Sequence, residues 1–166
     1  MASLLCRIYP IILHFEFFNC LIIKQIVEKR ADISLFQEGV LNQMIERSGG
    51  VLRDLFEMIE VTASSALFKN KSVIDQETSD YSFERLKMEY RGMITVWGEK
   101  EAKVSTGDLY DKLFEVSESS TKEFPLDDTM FLLLSCLAVV EYNGKQWFDV
   151  HPAVKSILGS IDMGRS

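Results

Sequence analysis

The segment Ser48-Gly49-Gly50-Val51-Leu52-Arg53-Asp54-Leu55 separates two amphipathic patterns. Apolar residues recur at helical spacing before it, and the same spacing continues after it in a longer run. A glycine pair ends a helix readily, because glycine adopts the positive backbone angle that is needed after the last turn. The segment therefore predicts two helices joined by a glycine turn. The apolar stripe of the second one is Leu52, Leu55, Phe56, Ile59, Ala63 and Ala66.

Further helices are predicted on both sides of this turn. Leu21 to Lys29 has helical spacing, and a second helix is predicted to begin at Ser34, because Ser34 and Gln37 have the spacing of a capping box. Beyond the long helix, Ser72 to Ser79 predicts a short helix or helical turn, and another helix follows it. In the helix from Ser34 the residues predicted to face inward are Phe36, Val40, Leu41, Met44 and Ile45. In the segment from Ser72 to Ser79 they are Val73 and Ile74, and in the helix after it they are Phe83, Leu86, Tyr90, Met93, Ile94 and Trp97.

Two helices and a β-hairpin are predicted in the C-terminal part. The helices cover about Thr106 to Val116 and Leu126 to Leu137. Asn143-Gly144 predicts the hairpin, because both residues tolerate the positive backbone angles that match the twist of two antiparallel strands. The strands and the final helix are Val139 to Tyr142, Gln146 to Val150 and Pro152 to Leu158. Helix, helix and hairpin in this order are typical of a winged-helix unit.

The charge of the chain argues against nucleic acid as a partner. The formal net charge is -7 and the pI is near 4.9, whereas phosphate binding needs clustered Lys and Arg. The predicted helix before the hairpin begins Leu126-Asp127-Asp128 and has no basic residue, so it would repel a DNA backbone. Lys145 at the wing tip is suitably basic, and Trp147 is a candidate interface anchor. We therefore predict protein contact, with DNA binding as the weaker alternative.

The cysteines and histidines predict no metal centre and no covalent catalysis. Cys6, Cys20 and Cys136 are scattered without a metal-ligand spacing, and His14 and His151 lie in unrelated segments. This cysteine usage predicts a reducing, cytoplasmic location. The apolar stretch near the start is interrupted by polar and charged residues and by a proline, so we predict no membrane span. Part of it, Ile8 to Phe18, is predicted as a buried strand that runs into the first helix.

The order of these parts resembles the helical lid and winged helix of AAA+ P-loop ATPases, of the origin-recognition type. The resemblance rests on Ile26-Val27-Glu28-Lys29-Arg30, on Ser48 to Leu55, and on Val140 to Lys145 with Trp147 and Val150-His151-Pro152. In that family a lid arginine, the sensor 2 arginine, reaches toward the nucleotide phosphates. By position it would be Arg53, with Gly49 and Gly50 forming the supporting turn. The other interpretation is that Arg53 pairs with Asp54 or Glu57 on a solvated helix face.

The chain departs from the family in lacking a phosphate loop. No Gly-x-x-x-x-Gly-Lys-Ser/Thr motif is present, and Gly144-Lys145 falls in the predicted hairpin turn. The resemblance then implies a mainly α fold, a helical lid-like bundle followed by a winged-helix domain with a small β-hairpin. The predicted divisions are a strand-like N-terminal remnant over 1–20, the lid-like bundle over 21–98, the winged-helix-like domain over 99–158 and a flexible tail over 159–166.

The function expected from these observations is a regulatory one. We predict the C-terminal lid and winged-helix portion of an AAA+ type ATP-binding protein, with no catalytic residues and no cofactor of its own. ATP and Mg²⁺ would be contacted only when a P-loop domain is supplied. The partner would be that ATPase core or another protein, and oligomerisation is left open. The alternatives are a stand-alone helical adaptor that binds protein through its winged-helix half, and a DNA-binding regulator.

Overall fold

The computed structural model describes residues 20–100, 104–142 and 147–162, with the side chains of 96–100 excepted. Within these ranges the chain is mainly helical with one small antiparallel hairpin near the C-terminus, which confirms the predicted fold class. The predicted strand from Ile8 to Phe18 lies outside the described residues. The elements are α1 (residues 20–28), a 3-10 turn (Ile33–Leu35), α2 (Val40–Arg47), α3 (Leu52–Phe68), α4 (Gln76–Lys100), α5 (Thr106–Glu118), α6 (Asp128–Ser135), β1 (Val139–Tyr142), β2 (Trp147–Val150) and α7 (Pro152–Asp162).

The chain divides into two compact units, and the boundary falls inside α4, between Phe83 and Glu84. The sequence predicted this boundary later, between residues 98 and 99. The difference arises because the later turns of α4 take part in the core of the second unit. Tyr90 is fully buried there, and its ring stacks on that of His151 with the centroids 4.7 Å apart.

The first unit has its core between α1, α2, α3 and the start of α4. The end of α2 is tied to α4 by Arg47, whose Nη1 lies 2.7 Å from Asp80 Oδ1 and whose guanidinium stands 4.7 Å from the ring centroid of Phe83. A second cation–π contact joins Arg30 to the ring of Phe56 in α3. The buried apolar residues of this unit are Ile23, Val27, Val40, Leu41, Met44, Ile45, Leu55, Met58, Ala66 and Ile74.

Helix α2 begins at Val40, so the predicted start at Ser34 is wrong. The Asp32 side chain accepts hydrogen bonds from Ser34 N–H (2.9 Å) and from its hydroxyl (2.7 Å), which caps a 3-10 turn instead. Phe36 then forms a parallel bridge with Ile74. This bridge requires extended backbone, so a contact with a distant segment replaces the helical start that the capping pattern favoured.

The third and fourth helices differ from prediction in face and in length. In α3 the inward residues are Asp54, Leu55, Met58, Thr62 and Ala66, whereas Leu52 is exposed, so the buried stripe is rotated from the predicted one. The predicted short helix before Ser79 is the beginning of α4, which is one continuous helix from Gln76. Of the two apolar residues that precede it, Ile74 is buried and Val73 is exposed.

The second unit encloses its own core with α5, α6, the hairpin and α7. A capping box begins α5: Ser105 Oγ accepts from Asp108 N–H, and the Asp108 carboxylate accepts from Ser105 N–H. Asp127 caps α6 by accepting from Met130 N–H at 2.7 Å. The hairpin register runs from Val139 opposite Val150 to Tyr142 opposite Trp147. Helix α7 continues to Asp162, so residues 159–162 are helical rather than part of the predicted tail.

Lys122 joins the end of α5 to the hairpin. Its Nζ donates to the carbonyls of Val116 (2.7 Å) and Ser117 (3.1 Å) and to Asp149 Oδ1 (3.0 Å). Its carbonyl accepts from Phe148 N–H, and its φ is +56°. The other Asp149 oxygen lies 2.6 Å from Lys155 Nζ. One lysine therefore satisfies carbonyls at a helix end and fixes β2 against it.

Candidate functional site

The glycine turn between α2 and α3 has the geometry that the sequence predicts. Both Gly49 (φ +58°) and Gly50 (φ +81°) adopt left-handed backbone. Backbone hydrogen bonds close the turn: Gly49 N–H donates to the carbonyl of Glu46, and Val51 N–H donates to that of Ser48. The Ser48 hydroxyl is buried and donates to the Ile45 carbonyl at 2.7 Å. The two left-handed residues end α2 at Arg47 and let α3 begin at Leu52, after a four-residue turn.

Arg53 lies in the first turn of α3 and is held by its neighbour. Its Nε donates to Asp54 Oδ1 at 2.8 Å. The Asp54 side chain is completely buried, whereas the Arg53 side chain is 56% exposed. The carboxylate is therefore an anchor inside the first unit, and the arginine side chain extends from it to the surface.

This arrangement corrects one detail of the alternative interpretation of Arg53. The pairing with Asp54 exists, but Asp54 points into the core and is not on a solvated helix face. A guanidinium has several N–H donors in a fixed plane, so a bond from Nε to a carboxylate is compatible with contact to an anion through the outer nitrogens. Nothing in the sequence pattern foretold the burial of Asp54. The one signal was an acidic residue in the first turn of a helix, a position that the helix dipole favours.

The start of α3 adds a positive field of its own. The first N–H groups of a helix have no intrahelical partner and attract anions together with the helix dipole. Val51 occupies the N-cap position, and valine has no side-chain acceptor for these groups. Arg53 adds a formal positive charge two residues later. The start of α3 therefore brings together two cationic features, the positive end of the helix dipole and the Arg53 guanidinium, which is paired with the buried Asp54 carboxylate.

Trp147, one of the two residues predicted as a possible interface, lies in the second unit. Trp147 begins β2, is half-buried, and meets the ring of Tyr142 edge to face with the centroids 5.7 Å apart. These two residues are cross-strand partners, so the indole stabilises the hairpin. Lys145 lies outside the described residues. The interface role predicted for both residues stays a prediction.

A lowered carboxyl pKa lies away from the glycine turn, at the start of α4. Lys71 Nζ donates to Asp75 Oδ2 at 2.6 Å and Thr78 N–H donates to Oδ1, which lowers the pKa of Asp75 to about 2. The same contacts, with Glu77 as a second acceptor, raise the pKa of Lys71. Both groups are charged at neutral pH, so this cluster caps a helix and offers no group poised for proton transfer.

Among the residues that the structure describes, no cluster of His, Cys, Asp or Glu could hold a metal ion. None of the described helices combines the length and apolar composition that crossing a bilayer would need. In comparisons with known proteins, no family model, no curated protein and no solved structure matches the chain.

Proposed function

We propose that this chain is the lid and winged-helix portion of an AAA+ type ATP-binding protein, with no catalytic activity alone. In this proposal Arg53 contacts the nucleotide when a P-loop domain is supplied. The observation that carries it is the placement of Arg53: it stands in the first turn of α3, behind two left-handed glycines, with Nε on a fully buried carboxylate. A cytoplasmic location belongs to the same proposal, supported by the scattered cysteines.

A sensing role follows from the chemistry of this placement. A phosphate facing the start of α3 would meet the positive end of the helix dipole and a guanidinium held in a fixed direction by Asp54. Hydrogen bonds to a charged partner are worth about 1.5–3 kcal/mol each. Loss of the terminal phosphate on hydrolysis would remove that stabilisation, and α3 would report the change to the rest of the first unit.

The nucleotide itself would be held elsewhere. Because the sequence has no phosphate loop, ATP and Mg²⁺ would be bound by the supplied P-loop domain, and the chain's own part would be Arg53 and the start of α3. Labelled ATP should therefore fail to bind the chain alone. It should bind a mixture of the chain with a P-loop polypeptide, and the polypeptide to try first is one encoded immediately upstream.

The decisive measurement is fluorescence anisotropy of labelled ATP with this mixture. Arg53→Ala should reduce the gain in ATP affinity that the chain gives to the mixture by about 10–150-fold, which is the equivalent of one charged hydrogen bond. Arg85→Ala controls for loss of an exposed arginine, because the Arg85 side chain is 51% exposed, and it should leave binding unchanged. Urea unfolding of Arg53→Ala separates a loss of binding from the loss of stability that follows when the buried Asp54 carboxylate is left unpaired. ATP binding by the isolated chain, or equal effects of the two substitutions, would overturn the proposal.

A second proposal, from a different class, is a stand-alone adaptor that binds protein through the second unit. It is supported by the acidic character of α6 and of the segment before it, which disfavours DNA, and by large apolar side chains that face water there. An adaptor of this kind would be indifferent to nucleotide in the mixture experiment. It would retain its protein partner when Arg53 is replaced.

A further inference from the structure

Helix α6 carries an aromatic residue on its outward face. Asp128, Phe131 and Ser135 follow one another at helical spacing and are all exposed, whereas Met130 and Leu133 are completely buried. Phe131 is 67% exposed, and Leu126, just before the helix, is 61% exposed. Because both side chains are mostly exposed in the described part of the chain, neither contributes much hydrophobic free energy to folding. Folding therefore does not explain why both are large and apolar.

Leu126 and Phe131 occupy neighbouring positions at the beginning of α6. Asp127 is the N-cap, so Leu126 is the residue before the cap and Phe131 is the fourth helical residue. These are the positions whose side chains meet in a hydrophobic staple, so we assign Leu126 and Phe131 to one apolar patch beside the acidic residues Asp127 and Asp128. We call these four residues the α6 surface.

Several exposed carboxylates of the second unit lie near this patch in the sequence or share a lysine with Asp127. Asp127 is 45% exposed on its side chain, Glu115 is 57% exposed, and Glu123 and Asp128 are exposed as well. Lys112 lies between two of them, with Nζ 2.7 Å from Glu115 Oε2 and 3.6 Å from Asp127 Oδ2, and is itself largely covered. In the described ion pairs Lys112 is shared by two of these four carboxylates, so the acidic groups outnumber the cation beside them and leave a negative field.

We propose that the α6 surface binds a basic amphipathic helix of another protein. An apolar residue of that helix would cover Phe131 and Leu126, while its Lys or Arg residues would pair with Glu123, Asp127 and Asp128. Charge complementarity selects this occupant. Nucleic acid and anionic lipid carry the same sign as these carboxylates, and a second copy of this chain has a net charge of -7.

Helix α6 is long enough to lie against two turns of a partner helix. An eight-residue helix such as α6 is about 12 Å long, which spans two apolar residues of a partner at successive turns. An aromatic side chain that becomes fully covered is the kind of residue that dominates a protein interface, and rim charges mainly set association rate and salt dependence. Phe131 should therefore control affinity, and the carboxylates should control the response to salt.

The test is fluorescence anisotropy with two synthetic peptides of about 18 residues, long enough for a stable amphipathic pattern. One carries Leu at helical spacing with Lys at the remaining positions, and the other has Glu in place of every Lys. The Lys peptide should bind the full chain and the Glu peptide should not. Phe131→Ser should weaken binding of the Lys peptide at least ~10-fold. Glu123→Lys should weaken it too and reduce its salt dependence.

Met88→Ser is the matched control, because Met88 is exposed to the same degree, at 69%, in the same unit. It should bind the Lys peptide like the original chain, and both serine variants should keep the far-UV circular dichroism of the original. Equal binding of the two peptides, or equal effects of Phe131→Ser and Met88→Ser, would overturn the proposal. So would sedimentation showing a dimer that Phe131→Ser dissolves, since the patch would then serve self-association. Nucleotide plays no part in this test, so its result is independent of the role of Arg53.

Discussion

Replacing Gly50 with alanine tests whether the turn before α3 depends on left-handed backbone. Gly50 has φ +81°, and a Cβ built on it would have Ile23 Cδ1 as its nearest heavy atom, at 3.9 Å, which is an ordinary contact. A clash of the added methyl group with its surroundings therefore adds nothing to the destabilisation. The cost of Gly50→Ala is that of holding an L-residue in left-handed backbone, about 1–2 kcal/mol.

Gly92→Ala is the natural counterpart. Gly92 lies within α4, where a Cβ would meet nothing within 4 Å. Alanine is favoured over glycine in a helix interior by about 1 kcal/mol, so this variant should be more stable than the original chain. Both substitutions add the same methyl group. The free energies of unfolding of the two variants should therefore differ by about 2–3 kcal/mol, and this difference reports the energetic cost of left-handed backbone at Gly50.

Urea unfolding followed by far-UV circular dichroism measures both effects. With a slope of about 2 kcal/mol per molar urea, Gly50→Ala should lower the transition midpoint by about 0.5–1 M, and Gly92→Ala should raise it. Equal midpoints for Gly50→Ala and the original chain would refute the reasoning. The turn would then not require positive φ, and the placement of Arg53 behind it would lose its structural basis.

Three further predictions concern capping, packing and pH. Ser105→Ala should cost about 1 kcal/mol in urea unfolding by removing half of the α5 capping box, and an unchanged midpoint would argue against that cap. Leu133→Ala, at a completely buried site in α6, should cost about 2–5 kcal/mol, and a loss under about 1 kcal/mol would show a loosely filled core. The pKa of Asp75 is lowered to about 2 by Lys71 and the Thr78 N–H, so its stabilising effect is complete above its ordinary pKa of 3.8 and is lost as the pH falls toward 2. Asp75→Asn should therefore flatten the drop in melting temperature between about pH 5 and pH 2, and equally steep profiles would contradict this.

The elements predicted best from the sequence are those whose signals are local. The strand Val139–Tyr142 has its predicted bounds, and α5 begins at Thr106 as expected. Hairpin and helix patterns of this kind depend on residues that are close in the chain, so tertiary contacts have little opportunity to move them. The positive backbone angles of Gly49 and Gly50 follow for the same reason, since the left-handed conformation is intrinsic to glycine.

The features that escaped prediction depend on contacts between distant residues. The start of α2 moved because Phe36 pairs with Ile74, far along the chain, and no local pattern encodes that bridge. The face of α3 is rotated because Asp54 and Thr62 are buried, although the periodicity argument assumes that polar residues face water. The burial of Asp54, which anchors Arg53, was missed on the same assumption. Carboxylates are rarely buried without a partner, and here Arg53 supplies that partner.

Lys122 restricts which residues the joint between α5 and the hairpin accepts. Its backbone angle of +56° is one that glycine and asparagine adopt most cheaply, yet its ammonium must reach two carbonyls and Asp149. A glycine there would relax the backbone and abandon all three acceptors. A leucine would keep the strain and lose the same bonds. Neither of these two substitutions meets both requirements, so redesign of this loop has more freedom at the neighbouring exposed residues Ser120 and Thr121 than at position 122.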